Sequence, residues 1–176
     1  MADIEIHAGE AHAGDALSKG VSVMVAVIGI VLALVTIGSH RAHTASVIHR
    51  TEANDQWAFY EAKKIREHMV DIAASLATTV TVTDAQKARA LAESFAQERD
   101  RYDREAKDIE REAQSRETES EREERRALRL DVGDGFLELG LVLSSLYFLS
   151  KRRFFPVMGA TAALIGTVVS AASWLV

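Results

Sequence analysis

The stretch Gly20–Ser39, GVSVMVAVIGIVLALVTIGS, holds no charged residue and is filled mainly by Val, Ile, Leu, Met and Ala. Roughly 20 such residues wound as a helix cross the ~30 Å hydrocarbon layer of a bilayer. The run is therefore read as a first transmembrane helix over residues 20–39, preceded by a polar N-terminal head over residues 1–19. A cleaved signal peptide is the rival reading. It fits less well, because the apolar core is long, begins well inside the chain, and is followed by no secreted-type domain.

The far end of the chain repeats the pattern. Residues 154–176 are uncharged, with Pro156 near the start, where its missing N–H costs no helix bond. Residues 131–150 are apolar but carry Asp131, Asp134 and Glu138, so only Leu139–Ser150 is strictly uncharged. That length of helix reaches only about 18 Å, which leaves a re-entrant or interfacial helix as an alternative. An adjoining helix on one side and the basic turn Lys151, Arg152, Arg153 on the other favour a second span over 131–150 and a third over 154–176. Small residues recur at Gly133 and Gly140, and at Gly159, Ala163, Gly166 and Ser170. Such spacing lets helix backbones approach closely in lipid.

Composition agrees with helices throughout. The 176 residues include one proline and no cysteine, and a mean hydropathy of −0.02 conceals a sharp separation of apolar from charged blocks. Without cysteine there are no disulfides, thiolate chemistry or Cys-based metal sites. A net charge of −5 argues against nucleic acid as a partner, since phosphate binding needs a basic surface.

Residues 40–130 are expected to form a soluble helical hairpin. The series Ile48, Thr51, Asp55, Ala58, Ala62, Ile65, Met69, Ile72, Leu76 alternates steps of three and four and predicts a heptad seam facing another helix. A turn is predicted at 78–83, where Thr83 and Gln86 form a capping box for a second arm. That arm carries Ala88, Leu91, Phe95, Tyr102 and Ile109, then becomes highly charged from Arg111 to Arg126, with disorder as the rival to a solvated helix. An arm of about 40 residues is about 60 Å long. The fold expected is thus all-α: three transmembrane helices with a long antiparallel, coiled-coil hairpin between the first and second.

The block Asn54, Asp55, Gln56, Trp57, Ala58, Phe59, Tyr60, Glu61, Ala62, Lys63, Lys64, Ile65 resembles the signature of the bacterial domain-of-unknown-function 4337 family. The resemblance covers most of the chain, but only this block and the basic turn are specific. It implies a head, one span, a charged helical segment and two closing spans, and implies no activity.

Candidate sites are few. Asn54, Asp55, Gln56, Trp57, Phe59 and Tyr60 concentrate amide and aromatic groups on a plain helix, as an assembly or partner contact; a structural lock that sets helix register competes with that reading. Asp131, Asp134 and Glu138 share roughly one helical face and suggest an ion pathway, weighed against snorkelling or pairing with Arg125, Arg126 or Arg129. His40 and His43, with His49, His7 and His12, lack the carboxylate that a metal or catalytic set needs. No nucleophile–base pair, phosphate-binding loop or nucleotide motif is apparent, so no catalytic, cofactor-binding or metal residue is expected.

The thin apolar seam argues for homo-oligomerisation, because little surface is buried against the entropy of ordering. The leading reading is a non-enzymatic membrane scaffold or stalk in contact with the lipid bilayer, with an unidentified protein partner on the hairpin. A cation channel or transporter accessory with an acidic collar is the alternative, and a transmembrane sensor hairpin a third. The short turn 151–153 obeys the positive-inside rule. This places it in the cytoplasm and the hairpin in the periplasm of a bacterial inner membrane, although Arg41, Arg50, Arg125, Arg126 and Arg129 argue the other way. A reporter fused at Thr81 is expected to be active only if it functions outside the cytoplasm; activity confined to a cytoplasm-only reporter reverses the topology.

Overall fold

A computed structural model describes the backbone of residues 8–79 and 85–175, and the side chains of 16–77 and 85–174. The predicted turn at 78–83, from residue 80 onward, lies outside the described residues, as does Thr83 and, in the head, His7; the side chain of His12 also lies outside them. The chain is all-α, with α1 over Ala8–Thr79, α2 over Ala85–Ser150 and α3 over Phe154–Ala172, closed by a single 3₁₀ turn at Ser173–Leu175. Each of the three helices contains a stretch long and apolar enough to cross a membrane. A long helical hairpin lies between the first and second of these stretches. The chain divides into two compact units, Met1–Thr44 with Arg122–Val176, and Ala45–Glu121.

In the first unit the usual inside and outside are exchanged. α3 buries Pro156, Gly159, Ala163, Gly166 and Ser170. α2 buries Gly133, Leu137, Gly140, Ser144 and Tyr147. Many large aliphatic side chains point outward: Val23, Ile30 and Leu34 on α1, Leu139 and Leu149 on α2, Leu164 and Val168 on α3. Hydrocarbon gives no reward for burying Leu against Leu, so helices surrounded by it must gain from close backbone packing.

The glycines show how close that packing is. A Cβ built on Gly133 would stand 2.8 Å from the carbonyl oxygen of Gly166, and one on Gly166 would stand 2.6 Å from that of Gly133. Gly140 and Gly159 repeat the arrangement at 2.8 and 2.7 Å. Real Cβ atoms do not approach a backbone oxygen so closely, so all four positions require glycine. The expectation of close packing from these small residues is met, and they act between α2 and α3. Ser144 donates to the carbonyl of Gly140 at 2.7 Å, which satisfies its buried hydroxyl within its own helix.

α1 joins this pair through residues spaced by seven. Val21, Ile28, Val35 and Ala42 are buried, the last three packing in one cluster with Ala127, Leu130, Leu137 and Ala163. Between α2 and α3 the basic turn is held by Lys151, whose φ of 55° lies in the left-handed region. Its N–H donates to the Tyr147 carbonyl at 2.8 Å, closing the end of α2 in the manner of a left-handed C-terminal cap.

The second unit corrects the predicted register of the hairpin. All nine residues of the series from Ile48 to Leu76, Asp55 among them, are exposed. The face of α1 turned toward α2 runs instead through Ser46, His49, Ala53, Gln56, Tyr60, Lys63, Glu67, Val70 and Ala74. Ser46 and Ala53 are buried there, opposite Ala106, Ala113 and Ser120 of α2. On the second arm Ala88, Phe95, Tyr102 and Ile109 are half-buried as predicted, whereas Leu91 is exposed. Both series on α1 have the same period; the second meets α2 with Ser46 and Ala53 as its buried points, where small side chains let two helix backbones lie close. The large residues would hold them apart. Ser120 donates to the Ser46 carbonyl at 3.0 Å, a bond available only at short interhelical distance.

Gly159→Val is expected to force α2 and α3 apart and cost about 1–3 kcal/mol, the usual range for overpacking a tight contact. Gly135→Ala, where an added Cβ meets nothing within 4 Å, should leave stability unchanged or raise it. Unfolding titrations in mixed SDS micelles measure both, and equal behaviour of the two variants would contradict the packing described.

Candidate interaction site on the hairpin

The NDQW block is split by the helix it sits on. Gln56 and Tyr60 belong to the face turned toward α2 and are half-buried, while Asn54, Asp55 and Phe59 are exposed. Trp57 stands on the flank between them. Its ring meets that of Tyr60 edge-on, with centroids 5.5 Å apart and planes at 87°, a favoured aromatic geometry. The block therefore acts on two sides of α1: one part contributes to the hairpin seam and the other faces away from it.

Where Trp57 leaves the seam, a cavity of about 200 Å³ opens between the arms. Ala53 and Ser120 border it because they are too small to fill it. Arg50, Asn54, Glu117 and Glu121 line the rest, so a polar margin carrying both signs of charge surrounds one indole face. One turn away, Glu52 and Glu119 converge on His49 at 3.3 and 3.4 Å, and Arg116 reaches the same two carboxylates at 3.3 Å each. This four-residue network links α1 to α2 beside the cavity. Further along, Lys63 pairs with Glu105 across the arms, and its Nζ lies 5.6 Å from the ring of Tyr102.

These pairs set local protonation. The hydrogen bond from Lys63 holds the Glu105 carboxyl below the usual carboxylate range. A bond from Lys107 does the same for Asp103, and Glu67 raises the Lys64 ammonium. All lie near the surface, where solvent screening keeps each pair's contribution small.

The carboxylate face of α2 from Asp131 to Glu138 is divided in a similar way. Asp131 accepts hydrogen bonds from Ser39 and from His43 Nε2, the latter at 2.9 Å. Asp134 accepts from Thr36 Oγ1 at 2.7 Å. Glu138 is exposed. The first two acids thus face α1, whose polar residues Thr36, Ser39 and His43 recur at steps of three and four and supply the donors. Of the arginines considered from sequence as partners, Arg125, Arg126 and Arg129, Arg126 bonds Glu123 at 3.4 Å and stacks over Trp174 at 4.5 Å. Sequence reading missed the three donors on α1. The signal was present as a polar stripe of matching spacing across from an acidic one.

Taken together, the features define a class: an all-helical chain with three stretches suited to crossing a membrane and a charged hairpin between two of them. Residues 17–176 match the family described as domain of unknown function (DUF4337), and the chain belongs to that family. No curated protein and no solved structure matches it.

Because the folded-state titration of Glu105 is depressed, its pairing with Lys63 stabilises the hairpin above the ordinary carboxylate range. That contribution is lost as pH falls through the depressed value. Thermal melts followed by circular dichroism should show the midpoint falling on acidification, and Glu105→Gln should shallow the fall. An identical acid-side slope in the variant would remove Glu105 from the account.

Proposed function

We propose that this chain is a non-enzymatic membrane protein that assembles as a homo-oligomer and uses its hairpin as a scaffold or partner-binding stalk. The observation that carries the reading is the hairpin seam. Its buried positions are Ala53, Ala106, Ala113, Ser46 and Ser120, side chains that remove little apolar area from water. At roughly 25 cal/mol per Å² such burial offsets only part of the entropy of ordering two long arms. Association with further copies supplies the missing burial.

Glu138 supports the same reading. It sits on a helix suited to crossing a membrane, exposed on the surface of the single chain. Ionisable groups inside spans nearly always face other helices or water, and a neighbouring copy provides such an environment. Cation conduction would require free carboxylates around a hydrated axis, and Asp131 and Asp134 are both engaged by donors of their own chain. The cavity beside Trp57, with its indole wall and mixed-charge rim, suits contact with a polar protein segment better than chemistry on a small molecule.

The test is the mass of the purified protein in mild detergent, by native mass spectrometry together with cross-linking in intact membranes. Several copies per particle are expected. A monodisperse monomer by both methods would refute the proposal.

A further inference from the structure

On the outward face of the first hairpin arm, Ile65, Met69, Ile72 and Leu76 are 59%, 63%, 61% and 61% exposed. With Ile48, they are the large apolar residues of the heptad series that does not meet α2. A water-facing helix seldom carries such a stripe without a partner. The steps from Ile65 to Met69 and from Ile72 to Leu76 are four, and that from Met69 to Ile72 is three. This places Ile65 and Ile72 at d positions of a heptad, and Met69 and Leu76 at a positions.

We infer that this stripe is the contact between copies of the chain, with the α1 arms packed side by side in parallel and in register. The inference rests on the homo-oligomer proposed above and specifies the surface that makes it. Two observations identify the occupant as a second copy. First, copies inserted alike in one membrane are related by an axis along its normal, so equivalent arms run in the same direction. In a parallel register the g residue of one heptad faces the e residue of the next heptad on the neighbour, five positions on. Here that pair is Glu61 with Arg66, both exposed. Each contact therefore brings a carboxylate to a guanidinium. The flanking pairs, Asn54 with Phe59 and His68 with Ala73, bring no like charges together.

Second, the core residues favour a bundle of more than two. Ile at d with Leu at a shifts parallel coiled coils from dimers to trimers and tetramers, a pattern met by Ile72 with Leu76, while Met69 holds the other a position. Asp55, at an a position of the same series, would bring carboxylates of neighbouring copies together, so the close contact is confined to the stripe from Ile65 to Leu76. The α2 arms then lie on the outside of the bundle, which agrees with the dense run of charge from Arg111 to Arg126.

The chain has no cysteine of its own, so single cysteines report the contact directly in the full-length protein in membranes. Met69→Cys should give disulfide-linked dimers as the main product under mild oxidation, at least fivefold above Glu93→Cys on α2. Glu61→Lys should lower the Met69→Cys yield severalfold, and adding Arg66→Glu should restore it. Mass in detergent separates the two levels of the claim. An oligomer that cross-links no better at 69 than at 93 overturns the stripe as interface and leaves the homo-oligomer standing, whereas a monomer removes both. Strong cross-linking at 69 that Glu61→Lys leaves unaltered overturns the parallel register.

Discussion

The structure depends on how closely two helix backbones can lie. Where α2 meets α3, Gly133 faces Gly166 and Gly140 faces Gly159, and any side chain at these positions would collide with a carbonyl oxygen. In a hydrocarbon surrounding, apolar side chains gain nothing by leaving lipid for protein, so attraction has to come from dense van der Waals contact and weak Cα–H···O bonds. Leu137 enters the space beside Gly166, and Ala163 joins the cluster that holds Ile28 and Val35 of α1. The four glycines therefore set the spacing to which the remaining packing conforms.

The hairpin uses the same device with a different result. Ala53, Ala106 and Ala113 bring the arms close, but small residues bury little area, and in water buried area is the main source of stability. Cross-arm polar links, such as the His49, Glu52, Arg116 and Glu119 network, fix alignment more than they add energy. The arm consequently has two faces: one, with Ser46 and Ala53 buried in it, that meets its own chain, and one that leaves Ile65, Met69, Ile72 and Leu76 on the surface.

The acids of α2 show that the surroundings of a charge are set by its neighbours. Asp131 and Asp134 are tied to hydroxyls and an imidazole of α1, so they act as polar fasteners between two helices. Glu138, one turn further, is turned away from these donors and exposed. Three carboxylates that look equivalent along the chain thus have two different surroundings.

Much of this was legible in residue order. The three apolar stretches, the glycine spacing and the half-buried positions Ala88, Phe95, Tyr102 and Ile109 of the second arm follow from composition and period, and the block Asn54–Ile65 resembles the family signature. Hydropathy belongs to a segment whichever way its helix faces, so the helical class and the three apolar stretches were determined by sequence alone. The face of α1 that meets α2 was decided only by tertiary structure. The series through Ile48 and Ile65 and the series through Ser46 and Ala53 share one period and cannot be told apart by counting. Interhelical distance separates them, because only the small residues permit the approach at which Ser120 reaches the Ser46 carbonyl. The donors to Asp131 and Asp134 were hidden for the same reason: their partners lie on a different helix, and sequence distance carries no information about which faces touch.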